Sequence, residues 1–149
     1  MKMTVRHKNF ILKKLIPFIL REQGRGFAMD RWLGKYEPDE EVCLDNVWRE
    51  TPVCGTICCI GGSIQHLKNI KGLGSKVAEA GAMIGLDYEA TEGLFYYWTD
   101  ENKDFGYGWP AKYRDRYKKA STPYRKARVA AALLREVVRT SGECLKIKR

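Results

Sequence analysis

Apolar residues recur at helical spacing along most of this 149-residue chain, and no stretch of useful length alternates as a strand would. A first helix is predicted over 9–23, with a kink at Pro17 or a regular part that begins near Lys13. Further helices are predicted over 56–67, 76–84, 88–97, 110–120 and 122–140. The sequence therefore predicts an all-α fold: a compact bundle of about six helices with two irregular loops, at about 34–53 and 99–109.

Residues typical of helix ends support these boundaries. Thr56, Asp87 and Thr122 each stand at the predicted N-cap of a helix and offer a side-chain oxygen to the unpaired N–H groups of its first turn. Pro110 suits the first turn of a helix, and Gly142 is a stop signal after the last one. We therefore expect these helices to begin and end close to the predicted positions.

The length of the chain fits a single domain. Its expected parts are a basic N-terminal helix (1–24), a central core (27–98), basic C-terminal helices (110–141) and a short tail (142–149). The longest apolar run, 10–20, is interrupted by Lys13, Lys14 and Pro17. Neither a membrane span nor a signal peptide is therefore expected.

Three of the five cysteines and three glycines stand within residues 52–62. The odd cysteine count and the adjacent Cys58 and Cys59 argue against a disulfide framework and favour free thiols in a reducing cytoplasm. Gly61 and Gly62 weaken a helix, so their presence in one predicts that another segment crosses closely there. On this interpretation the thiols are small core side chains and need no cofactor.

Two chemical alternatives remain for this segment. A zinc site would use Cys54, Cys58, Cys59 and His66, with Cys43 available to complete the set, although knuckle spacing and a second cysteine pair are missing. A reactive thiol would use Cys54 near a helix N-terminus. His66 lies seven residues after Cys59, which is about 10.5 Å along a helix and too far for direct proton transfer. The sequence therefore favours a protein without catalytic activity.

The same segment carries a resemblance to a family. The motifs are Phe27-x-Met29-Asp30-x-Trp32, Cys54-Gly55-Thr56-x-x-Cys59-Ile60-Gly61-Gly62, Ile84-Gly85-Leu86, Leu94-Phe95 and Trp109-Pro110. Over about 27–135 the chain resembles uncharacterised small proteins of phages, prophages and actinobacteria that share a Cys-Gly-Thr-x-x-Cys-Ile-Ala-Gly core. It departs from them at Gly61, at Ser63, in the extra Cys58 and in its basic ends. The resemblance implies a mobile-element origin and a helical fold, and it assigns no chemistry.

The formal charge of +9 is concentrated at the two ends of the chain. Residues 1–21 contain six Lys and Arg and no acid, whereas 112–149 contain thirteen Lys and Arg against three acids. Residues 22–111 carry eight bases and fifteen acids. Two basic ends around an acidic middle predict one positive surface that attracts phosphate backbones, acidic proteins or anionic lipid heads.

The last two predicted helices carry most of this positive charge. The residues predicted to contact a partner are Lys112, Arg114, Arg116, Lys118, Lys119, Arg125, Arg128, Arg135 and Arg139. Guanidinium groups suit phosphate, and the neighbouring Tyr113 and Tyr117 are candidates to stack on bases. A solvated helix face with both tyrosines packed inward explains the same pattern.

These features lead us to expect a small basic binding protein of phage type in the cytoplasm, which would be the host cytoplasm for a phage protein. Its expected partner is nucleic acid, a host nucleoprotein or an acidic protein, and its expected effect is inhibition of a host or defence system. Two alternatives remain open: a zinc- or thiol-dependent enzyme or zinc-stapled module at the cysteines, and a minor virion or assembly protein. The pattern alone leaves the oligomeric state open.

Overall fold

The computed structural model describes residues 3–27, 34–36, 41–43, 56–57, 59–68, 76–95 and 109–146. The helical elements are α1 (Val5–Phe10), a π-helical segment (Ile11–Leu15), α2 (Ile16–Gly24), α3 (Ile60–Lys68), α4 (Lys76–Met83), α5 (Tyr88–Phe95), α6 (Ala111–Lys119), α7 (Pro123–Thr140) and a 3₁₀ turn (Glu143–Leu145). The strands are β1 (Gly34–Tyr36), β2 (Glu41–Cys43) and β3 (Thr56–Ile57). Helices supply most of the described core, which confirms the predicted all-α bundle.

The N-terminal helix begins earlier than predicted because Thr4 and His7 form a capping box. Thr4 Oγ1 accepts a hydrogen bond from His7 N at 3.2 Å, and His7 Nδ1 accepts one from Thr4 N at 3.2 Å. The π-helical segment lies just before Pro17, and at its end the Ile16 N–H donates to Ile11 O. The wider π turn accommodates the Pro17 ring, which would clash with a carbonyl of the preceding turn in a regular α-helix.

A small antiparallel sheet lies where the sequence predicts an irregular loop. Its strand order is β2-β1-β3, and Lys35 of β1 pairs with Val42 on one side and Thr56 on the other. Because Thr56 belongs to this sheet, the prediction that Thr56 caps a helix is wrong. The expected second loop, apart from Trp109, and the turn before α4 lie outside the described residues.

Helix α3 begins at Ile60, and Cys59 occupies the capping position that the sequence assigns to Thr56. Cys59 Sγ accepts a hydrogen bond from Gly62 N at 3.4 Å, and Cys59 O accepts one from Ser63 N at 2.8 Å. Gly61 and Gly62 are both buried. The close crossing of another segment at these glycines stays a prediction.

Helix α7 is the centre of the bundle, and α2 packs along it. Their crossing is close at Gly24, where a Cβ would stand 2.7 Å from Pro123 O and 2.9 Å from Ala127 Cβ. The φ of Gly24 is 75°, a backbone conformation that residues with a side chain rarely adopt. The buried face of α7 is formed by Ala127, Val129, Ala130, Ala131, Leu133, Leu134 and Val137.

Most of the predicted end signals act as expected. Asp87 Oδ1 accepts a hydrogen bond from the first turn of α5 at 3.0 Å, and Thr122 Oγ1 accepts one from the first turn of α7 at 3.1 Å. Gly142 follows α7 with a φ of 85°. Pro110 stands at the N-cap of α6, one position before the predicted one.

The aromatic residues near α6 belong to the core. Trp109 is buried, its Nε1 donates a hydrogen bond to Leu94 O at 2.9 Å, and its ring meets Tyr117 edge to face at 5.2 Å. Leu94 lies in the last turn of α5, where carbonyl groups lack helical partners. Trp109 therefore joins α5 to α6 and places α6 beside α7.

Candidate functional site

The exposed strip of α7 forms the floor of an open groove. Thr122 caps α7, and the spacing of Arg125, Arg128 and Arg135 then places these side chains on one face of the helix. That face lies opposite the buried one, and all three side chains are exposed. Helices α2 and α6 flank the strip because both pack against α7.

Helix α6 forms one wall of the groove. Helices α6 and α7 are joined by 120–122 and pack as an αα-hairpin, with Lys126 Nζ 5.6 Å from the centroid of the Tyr117 ring near the joined ends. Tyr117 points inward, which leaves Arg116 and Lys119 on the groove side of α6. The opposite wall contains Leu20 of α2.

The groove has a volume of about 760 Å³ and concentrates positive charge. The bases that line it are Arg116, Lys119, Arg125, Arg128 and Arg135. Its described lining contains no carboxylate, and within the described part of the chain none of these five bases forms an ion pair. Uncompensated charges of one sign in a concave site attract anions more strongly than the same charges spread over a convex surface.

Four of the nine predicted bases lie outside this lining: Lys112, Arg114, Lys118 and Arg139. Arg139 forms two hydrogen bonds with Glu136, at 2.6 and 3.0 Å. These bonds lower the pKa of Glu136 and raise that of Arg139. Arg114 Nε lies 3.8 Å from Asp115 Oδ1. The structure therefore divides the predicted set into a groove cluster and bases outside it, among which Arg139, Arg114 and Lys112 have an acid nearby.

The tyrosines of α6 pack inward, as the alternative interpretation of the pattern proposed. Tyr113 is 6% exposed and Tyr117 is 5% exposed, so neither offers a ring face to a base. Tyr124 takes that position instead, because it is 44% exposed and lines the groove. The Arg128 Cζ atom lies 5.7 Å from the centroid of its ring. Tyr124 was not among the residues predicted to contact a partner, although its position one turn before Arg128 places both on one face of α7.

The cysteine-rich segment shows a structural use of one thiol. Cys59 is buried and caps α3, and the Ser63 hydroxyl donates to its carbonyl at 2.7 Å. Among the described residues, no group of three or more potential metal ligands stands together. Cys54 and Cys58 lie outside the described residues, and Cys43 lies in β2. The zinc set of Cys54, Cys58, Cys59 and His66 therefore stays a prediction.

His66 belongs to α3, and its ring packs against Phe18 of α2. Its ring centroid is 4.8 Å from that of Phe18, and its Nδ1 atom is buried without a hydrogen-bond partner in the described part of the chain. Burial, and then the positive charge of Arg21, lower the pKa of His66. The imidazole is therefore neutral near pH 7.

No protein-family model, curated protein or solved structure matches this chain. The resemblance to phage proteins therefore stays a prediction, and the proposals that follow depend on the groove. Of the helices that the structure describes, none is long and apolar enough to cross a membrane.

Proposed function

We propose that this chain binds the phosphate backbone of a nucleic acid in the groove between α2, α6 and α7. The observation that supports the proposal is the cluster of five lining bases without a carboxylate in the described lining. Bases with neighbouring acids would lose affinity for a ligand because each acid competes for the same cation. The groove cluster keeps its charge available for phosphate.

The kind of base in the groove also favours phosphate. Four of the five lining bases are arginines, whose planar fork of donors matches the oxygens of a phosphate group. Arg125 and Arg128 stand three residues apart on α7, and Arg135 follows two turns later. This row extends along the helix as successive phosphates extend along a strand.

Salt dependence is the first test of this proposal. Binding of a fluorescein-labelled oligonucleotide is measured by anisotropy across a series of salt concentrations. If the five lining bases each neutralise a phosphate, the slope of log K against log salt is about −3.5 for a single strand. A flat salt response, or no binding at low salt, would contradict the proposal.

Charge reversal with a matched control is the second test. Arg128→Glu combined with Arg135→Glu is expected to abolish binding. Lys14→Glu combined with Lys118→Glu changes the net charge equally at exposed positions outside the groove and is expected to weaken binding much less. Circular dichroism of both variants checks that the fold is retained. Equal losses in the two double variants would show that net charge, not the groove, controls binding.

An acidic protein is the second candidate partner. Its support is the same cluster of lining bases, because guanidinium groups also bind carboxylates through two parallel hydrogen bonds. Competition between the labelled oligonucleotide and polyglutamate separates the two candidates. Displacement by polyglutamate at lower concentration than by unlabelled oligonucleotide would favour the acidic protein.

A biological role follows from the same proposal together with the resemblance to phage proteins. Occupying nucleic acid, or displacing a host protein from it, would inhibit a host process or a defence system. A pull-down from the host, with sequencing of the bound nucleic acid and mass spectrometry of the bound proteins, tests this role. The double variant Arg128→Glu, Arg135→Glu serves as the control. If the unchanged protein recovers no more nucleic acid and no more protein than this variant, the proposed role is wrong.

A further inference from the structure

An exposed tyrosine stands inside the basic groove. Tyr124 is 44% exposed, whereas Tyr113 and Tyr117 beside it in the fold are almost fully buried. The Arg128 Cζ atom lies 5.7 Å from the centroid of the Tyr124 ring. The apolar residues Leu20 and Ala132 also line the groove. An aromatic ring that remains exposed among cations offers a flat surface on which a base can stack.

The shape of the groove discriminates between a duplex and a single strand. Helix α7 contributes most of the lining, with three exposed arginines, while α6 contributes Arg116 and Lys119 and α2 contributes Leu20. The major groove of a duplex is about 12 Å wide and admits one α-helix. Three helices packed side by side at about 8–10 Å spacing are too broad to enter it. These helices therefore cannot enter the major groove of a duplex, which leaves a duplex only its outer phosphates for contact. A single strand can also place a base in the groove.

The size of the groove leads to the same conclusion. Its volume of about 760 Å³ is that of a site for a small ligand. Such a space suits a short stretch of one strand with an extruded or unpaired base. A base that is already paired and stacked in a duplex would have to be unstacked first, at a cost in affinity.

We infer that the groove selects single-stranded nucleic acid, with an unpaired base stacked on Tyr124 and the adjacent phosphates held by Arg125 and Arg128. This inference rests on the proposed function, because it assumes that the same groove binds phosphate. It adds the class of ligand and the residue that selects it. Stacking has little preference among bases, so the expected selectivity is for unpaired strands and not for a sequence.

The test compares three labelled ligands: oligothymidylate, a duplex of the same length, and linear polyphosphate, which has the charge but no base. The variants are Tyr124→Ala, Tyr124→Phe and, as a matched control, Tyr88→Ala, which removes a 76% exposed tyrosine of α5. Tyr124→Ala is expected to weaken oligothymidylate binding roughly 5- to 100-fold and to leave polyphosphate binding unchanged. Tyr124→Phe and Tyr88→Ala are expected to bind like the unchanged protein.

The other outcomes separate failure of this inference from failure of the proposed function. If duplex and single strand bind equally and Tyr124→Ala weakens neither, the inference is wrong while phosphate binding stands. If Tyr124→Ala weakens polyphosphate binding as much as oligothymidylate binding, Tyr124 only shapes the groove and the inference is wrong. If no nucleic acid or polyphosphate binds at low salt, both proposals fail. Binding of polyglutamate alone would identify an acidic protein as the partner and overturn both.

Discussion

Replacing Gly24 with alanine tests whether the close crossing of α2 and α7 holds the bundle together. In the structure the φ of Gly24 is 75°, and an added Cβ would stand 2.7 Å from Pro123 O and 2.9 Å from Ala127 Cβ. Both neighbours belong to α7, and one of them is a backbone atom that cannot move alone. The new methyl group therefore requires the two helices to separate.

The magnitude follows from two costs. A residue with a Cβ in the left-handed region costs about 1–2 kcal/mol, and overpacking a close contact costs about 1–3 kcal/mol. The lower entropy of an unfolded chain with alanine offsets about 0.4–1 kcal/mol of this. We expect Gly24→Ala to lower the free energy of unfolding by about 3 kcal/mol.

Gly26→Ala is the matched control, two residues along the same segment. Its Cβ would meet the Arg21 guanidinium at 2.5 Å, and the end of that side chain can rotate away. Arg21 Nη1 donates a hydrogen bond to Phe18 O at 2.8 Å, and Arg21 Cζ lies 3.7 Å from the centroid of the Phe18 ring. The loss of these contacts and the entropy gain nearly balance, so the expected cost is less than about 1 kcal/mol. Urea unfolding followed by far-UV circular dichroism measures both variants. A Gly24→Ala cost within about 1 kcal/mol of zero, or equal costs in the two variants, would refute this reasoning.

Three further predictions concern single contacts. The hydrogen bond from Lys146 lowers the pKa of Asp87, so this contact stabilises the fold above the unfolded-state pKa of Asp87 and is lost as the pH falls through its lower folded-state pKa. Asp87→Asn keeps the cap but removes the charge. Its free energy of unfolding should be lower than that of the unchanged protein at pH 7 and equal to it in acid, and a difference that is constant with pH would contradict this. Trp109→Phe leaves the buried Leu94 carbonyl without its donor and should cost about 1–3 kcal/mol in urea unfolding, and no loss would show that another donor replaces it. Cys59→Ala should cost about 0.5–2 kcal/mol through the lost cap, whereas Cys59→Ser should retain stability because serine caps well; the reverse order would argue against the cap.

Local signals in the sequence predicted the helices well because helix ends depend on neighbouring residues. Asp87 and Thr122 cap the helices that follow them, and Gly142 follows the last one, all as predicted. The inward direction of Tyr117 agrees with one of the two interpretations that the pattern of α6 left open. Each of these features involves residues within a few positions of one another, so the chain specifies them without knowledge of the fold.

Contacts between distant segments overruled local signals elsewhere. Thr56 has the side chain of a good cap, but it pairs with Lys35 in the sheet, and Cys59 caps α3 instead. Strands of two or three residues are too short to show an alternating pattern, and β3 pairs with β1, which lies about 20 positions earlier in the chain. The sequence pattern therefore contained no signal for the sheet.

The candidate site shows the same division. From the sequence alone, nine bases formed one predicted surface, and helical spacing placed Arg125, Arg128 and Arg135 together on α7. Only tertiary packing brought α2 and α6 to either side of that row and left Tyr124 exposed between them. The pairing of Arg139 with Glu136 is local, because the two residues stand three apart in α7. A groove is a space between helices, and its shape and charge depend on how they pack; periodicity within one helix reports only which face that helix turns outward.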